Sequence, residues 1–209
     1  MKDAQERDHK RAGDKTRKSA LTRRRIMINA SKLMVERGST SFLMSEVSDL
    51  CFMSKGALYY YFEDREDLIQ AIFDEAIADL VDAIDNAVSR SETADKALRA
   101  VCSEYASRVS AGSPLALALM NELICDRKRS SNDENVSLKH IVDVVADLLE
   151  KGKDEGVVRR DVDAQLAAIS VCGGFAFAAV EAYDGNGSTD VFTSSLLRLI
   201  VDGIGPQQD

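Results

Sequence analysis

Apolar residues recur every three or four positions from Ile26 to Val201, and nowhere do they alternate with polar ones two by two. The first pattern lays one face of a helix into a core, while the second would mark a half-buried strand. Only two prolines, Pro114 and Pro206, interrupt 209 residues, so long helices can run unbroken. The chain is therefore expected to be all-α with about nine helices. They fall at 22–37, 45–51, 55–61, 64–88 and about 93–110, 115–127, 136–155, 163–183 and 189–203. Gly38, Gly112-Ser113-Pro114, Gly156 and Gly185-Asn186-Gly187 supply breaks between them.

The net charge of −8 hides an uneven distribution. Residues 1–70 carry 14 Lys/Arg against 11 Asp/Glu, whereas 71–209 carry 13 against 24. Within 9–37 the balance is 10 basic to 2 acidic. Phosphate neutralisation is local, so a basic end on an acidic body is compatible with nucleic-acid binding. Residues 1–18 are polar and lack aromatics, and read as a flexible basic arm, either a DNA-reaching tail or a solubilising one.

Several function classes are excluded by what is missing. The four cysteines (Cys51, Cys102, Cys125, Cys172) sit singly in apolar helical patterns, and the two histidines, His9 and His140, lie far apart. Zinc needs clustered ligands, so no metal site and no cofactor is expected. There is no phosphate loop and no nucleophile–base spacing, which argues against an enzyme. No apolar run opens the chain, and an uncharged stretch in its C-terminal half, Gln165–Val180, spans 16 residues with two glycines inside. That is too short and too interrupted to cross a bilayer, so a cytoplasmic protein is expected.

Three helices packed into about 40 residues, the last two short and joined by a tight turn, have the layout of a helix-turn-helix over 43–62. Ser54 is placed to cap the third helix, and Asp64 the fourth. Leu58 and Phe62 lie four apart and can face a core, which leaves Lys55, Tyr59 and Tyr60 outside. Three consecutive tyrosines and a phenylalanine cannot all point one way, because each residue turns the helix by about 100°. Gly56 and Ala57 are small enough to let the helix start approach base edges or a thymine methyl.

Residues 22–73 resemble the DNA-binding domain of the TetR family of regulators. Ile26-Met27 through Glu36-Arg37-Gly38 is similar to the family's first helix. Ser54-Lys55-Gly56-Ala57-Leu58-Tyr59-Tyr60-Tyr61-Phe62 is similar to its recognition-helix signature, and Glu63-Asp64-Arg65-Glu66-Asp67-Leu68 to the start of its fourth helix. The resemblance implies that Lys55 and Tyr60 meet phosphate or base edges, that Gly56 and Ala57 face the groove beside the cap Ser54, and that Tyr59 holds a phosphate. It implies further contacts from Arg65, Ser45 and Thr22. The chain departs from the family at Phe52, where a turn glycine is usual, and at Leu43 and Met44, where a threonine is common.

The resemblance implies a domain of about 20–80 that binds a double-stranded DNA operator. Residues 81–209 would form a helical ligand-binding and dimerisation domain, and a small-molecule effector would relieve repression by a homodimer. The alternative is an all-α ligand-binding or interaction protein that has lost specific DNA binding. Leu119, Met120, Leu123 and Phe175 are candidates to line the effector pocket. Glu122 and Asp126 are placed to meet a cationic ligand or simply solvent. Leu166–Val180 is apolar nearly all round and must be covered on more than one side, so Ala168, Cys172, Phe175 and Ala179, with Leu197 and Ile200, are candidate dimer contacts. A purely intrachain central helix is the other reading.

Overall fold

The computed structural model describes residues 2–108, 113–124, 136–183 and Gly203, and among these residues every regular element is helical. The helices are α1 (Lys2–Arg37), α2 (Met44–Leu50), α3 (Lys55–Tyr59), α4 (Arg65–Ser89), α5 (Ala94–Arg108), α6 (Pro114–Ile124), α7 (Val136–Asp154) and α8 (Ala164–Tyr183). The all-α expectation is met, and the ninth expected helix, 189–203, lies outside the described residues apart from Gly203. The chain divides into two compact units, Met1–Ile72 and Phe73–Asp209.

In the first unit, α1 starts well before Thr22 and takes in the segment expected to be a separate arm. Lys, Arg, Gln, Glu and Ala are all good helix formers, and Gly13 is the one weak point before Arg37. Ile26, Ala30, Leu33 and Met34 are buried along one face of α1. Buried with them in this unit are Val47 of α2 and Cys51 at its C-cap, Leu58 and Phe62 of the α3 region, and Leu68 and Ile72 at the start of α4. Gly38 ends α1 in the left-handed region at φ 59°. Its amide donates to the Val35 carbonyl, and the Ser39 amide to the Met34 carbonyl, which closes the helix end.

The second unit is built around a core drawn from α4 to α8. Leu80, Ile84, Val101, Tyr105, Leu119, Val145, Leu149 and Ala168 are among its buried members. α7 packs on α5 and α8, and α8 packs on α6. His140 at the start of α7 reaches Asp85 of α4 at 3.0 Å. The N-terminus of α5 is capped from a distant part of the chain: the amide of buried Ala94 donates to Glu155 Oε2 at 2.7 Å. Without that carboxylate the amide would be buried with no acceptor. Glu155→Ala should therefore lower stability by about 1–2 kcal/mol, read as a lower urea midpoint with an unchanged slope.

Candidate DNA-binding surface and ligand cavity

Each short helix of the first unit is started by a side chain. The Ser54 hydroxyl accepts the Ala57 amide at 3.2 Å and fixes the first turn of α3. Asp64 Oδ1 accepts the Asp67 amide at 2.8 Å, and Asp67 Oδ2 accepts the Glu63 amide at 3.0 Å, a reciprocal cap on α4. α2 lacks such a residue at its N-cap, since Leu43 has no side-chain acceptor. Glu46 compensates by accepting the Leu43 amide at 2.8 Å. The same carboxylate holds Arg37 through both its oxygens, at 2.5 and 3.0 Å, and so ties the end of α1 to the start of α2.

The turn between α2 and α3 is closed like the end of α1. The Phe52 amide donates to the Asp49 carbonyl and the Met53 amide to the Ser48 carbonyl, with Phe52 at φ 51°. Phe52 thus holds the left-handed conformation that a glycine would take, and α3 begins where a glycine turn would start it. This removes the sequence-based motive for a chain that had lost DNA binding.

With Leu58 and Phe62 buried, α3 presents Lys55, Gly56, Ala57, Tyr59 and Tyr60 to solvent, Tyr60 with 79% of its surface exposed. A side chain built at Gly56 would meet nothing within 4 Å, so the helix start faces open space. Tyr61 is half-buried and packs edge-on against Tyr60 at 5.2 Å. α3 itself is shorter than the expected recognition helix and ends at Tyr59, with Tyr60 as its cap. Arg65 lies beside this surface but is paired with Glu66 Oε1 at 2.7 Å. The Thr22 hydroxyl donates to the Lys18 carbonyl within α1, and Ser45 is half-buried on α2. Arg23 stacks over the Phe62 ring at 4.4 Å, a brace from α1 that helical periodicity does not reveal.

In the second unit a cavity of about 260 Å³ opens among the helices. Its walls include Leu80 and Ile84 of α4, Val101 and Tyr105 of α5, Leu119 of α6, Val145 of α7 and Cys172 of α8. Leu119 is the expected pocket residue found there; the side chains of Met120, Leu123 and Phe175 lie outside the described residues, as do those of Glu122 and Asp126. The polar atoms in the wall are uncharged. Burial pushes the Cys102 thiol up to about 12 and the Cys172 thiol up to about 11, and it raises the Tyr105 phenol as well.

Of the candidate dimer residues on α8, the two whose side chains are described turn toward the core. Ala168 is fully buried in its own subunit's core, and Cys172 packs against that core, because both lie on the side turned toward α6 and α7. Leu166 is 63% exposed and lies outside the cavity wall, whereas Ile169, 53% exposed, is part of that wall. The side chains of Phe175 and Ala179 are outside the described residues, as are Leu197 and Ile200. Among the described residues no three His, Cys, Asp or Glu side chains gather in a metal-binding cluster, and no helix is long and apolar enough to cross a membrane.

Hydrogen bonds from Arg37 and then from the Leu43 amide pull the Glu46 carboxyl down to about 2 from an ordinary value of 4.5. A depressed folded value means that this link stabilises the fold in full above 4.5 and is lost as pH falls toward 2. Acid titration followed by circular dichroism should show the wild type losing stability across that window. Glu46→Gln should start less stable at neutral pH and show a flatter profile between those limits.

Two family models match the chain in succession: bacterial regulatory proteins of the tetR family over residues 26–72, and the C-terminal region of YsiA-like proteins over 73–178. The fatty acid metabolism regulator protein of Bacillus subtilis (strain 168) is 22% identical over 181 residues, covering 86% of this chain and 93% of the relative. The HTH-type transcriptional repressor BepR of Brucella suis biovar 1 (strain 1330) is 33% identical over 58 residues, 28% of each chain. The crystal structure of the regulator FadR from Bacillus subtilis in complex with stearoyl-CoA is similar in fold. It has a TM-score of 0.65 at 23% identity, over 86% of this chain and 98% of that one. The helix-turn-helix geometry and two adjoining family matches, the second covering half of the chain, place this protein in the TetR family of DNA-binding bacterial transcription regulators.

Proposed function

We propose that this protein is a repressor that binds its operator as a homodimer in the cytoplasm and is released by an acyl-chain ligand of the acyl-CoA class. The cavity of the second unit carries the reading. Its wall is apolar, and its thiols and phenol stay neutral at physiological pH, so it suits the hydrocarbon part of a ligand whose charged part remains outside. The similarity to a fatty acid metabolism regulator and to a regulator solved with stearoyl-CoA supports the same class. Leu166 of α8, exposed and outside the cavity wall, is an apolar contact for a second subunit to cover.

On the DNA side, Lys55 and Tyr60 would meet phosphate or base edges, with Gly56 and Ala57 against the groove and Tyr59 on a phosphate. Ser54 would act by setting the helix start. Arg65 would exchange Glu66 for phosphate, and Ser45 and Thr22 would add flanking contacts. Lys55→Ala should therefore reduce the slope of log affinity against log salt by about one ion. An unchanged slope, measured by fluorescence anisotropy across a salt series, counts against a phosphate contact there.

The effector reading is tested by gel shift on duplex bound by the wild type, with long-chain acyl-CoA, free fatty acid and CoA added separately. Acyl-CoA should release the DNA and raise the protein's thermal midpoint, while CoA alone should do neither. Val142→Phe, which narrows the cavity, should keep DNA binding and lose the acyl-CoA response. Release by CoA without an acyl chain would sink the proposal.

A further inference from the structure

The two helix ends of the first unit use one device with different residues. At the end of α1 the left-handed position is Gly38; at the end of α2 it is Phe52. The closing hydrogen bonds are the same pair in both, from the residue itself back three positions and from its successor back five. A side chain with a Cβ is strained in this region, whereas glycine is not. Phe52 brings a second cost: with 96% of its surface exposed, its ring buries almost nothing within the chain. Backbone strain and an open aromatic ring at one residue give the fold nothing in return, and such outliers gather where a function holds them.

The position of Phe52 indicates the function. It stands two residues before Ser54, the cap of α3, and the exposed run Ser54-Lys55-Gly56-Ala57 follows it directly. The DNA-binding surface therefore continues onto the turn, where the ring is the largest apolar group available to a duplex. The surface next to it is poor in charge, with Lys55 the one cation from Ser54 to Phe62. DNA offers a flat ring two apolar partners, the thymine 5-methyl group in the major groove and the carbon face of a deoxyribose.

We propose that Phe52 is a specificity-determining contact, its ring packing on an apolar patch of the operator beside the groove that α3 enters. This extends the DNA-binding reading and rests on it. The contact releases no counterion, so it adds affinity without steepening the dependence on salt. Its cost is carried by the unbound protein as turn strain, which makes stability and DNA binding respond to substitution with opposite signs.

The test uses full-length protein and the duplex that the wild type enriches from a randomised pool. Phe52→Gly should melt higher, by about 2–4 °C, and bind that duplex roughly tenfold more weakly with the salt slope unchanged. Phe52→Asn, which tolerates the same backbone region, should bind equally weakly, while Phe52→Leu should retain most of the affinity. Replacing thymine by deoxyuridine in the duplex separates the two partners. If the ring meets a methyl group, wild type and Phe52→Gly converge on the substituted duplex; if it meets a sugar, the difference persists. A Phe52→Gly protein that binds with wild-type affinity overturns the proposal, as does one whose only change is in self-association measured by sedimentation. If the wild type enriches no duplex, the DNA-binding reading fails with it.

Discussion

The burial of Leu58 and Phe62 is the constraint on which the DNA-facing surface depends. α3 has five residues, far fewer than a helix needs to persist alone in water. It is held because these two side chains are removed from solvent, each contributing about 1.5–3 kcal/mol. Arg23 over the Phe62 ring and the Ser54 cap each add less. Once Leu58 and Phe62 point inward, the 100° step of the helix leaves Tyr59 and Tyr60 no place but outside. The exposed face is thus a by-product of the buried one, and its aim is set with more energy than any contact it makes itself.

The second unit meets the opposite problem. Interiors ordinarily fill to crystal-like density, yet its core leaves a cavity of about 260 Å³ among α4 to α8. A closed void of that size would cost on the order of 5 kcal/mol. An opening on one side and walls of Leu, Ile and Val make the space tolerable to water and attractive to hydrocarbon. Burial also keeps the Cys102 and Cys172 thiols protonated, so they behave there as small apolar groups rather than as nucleophiles.

The sequence made the helices legible because their signals are local: a 3.6-residue period, Ser54 and Asp64 as caps, Gly38 as a stop. The inward pair Leu58 and Phe62 was legible for the same reason. Features resting on tertiary contact were not. The period of α5 marks Val101 and Tyr105 as buried, but it cannot distinguish a filled core from a cavity wall. α8 is apolar on every side, so composition gave no way to tell the inward Ala168 from the exposed Leu166 or from Ile169 in the cavity wall. The Glu155 cap on α5 joins residues 61 positions apart, beyond any motif. The early start of α1 was missed because polar helix formers carry propensity but no period.

Charge and shape divide the labour of the first unit. Exposed Arg17, Lys18 and Arg25 are carried by α1, while the segment 54–62 contributes Lys55 alone and is followed by Glu63 and Asp64. Phosphate attraction is long-ranged and indifferent to sequence, so it can be supplied from a neighbouring helix. Reading bases needs short-range contacts at fixed places, and in the proposed mode of binding those would fall to hydroxyls, small residues and an aromatic ring. Cations crowded onto α3 would raise affinity for every duplex alike. A recognition helix poor in charge beside a basic α1 lets the two terms be set independently, and the strained Phe52 turn sits on the short-range side of that division.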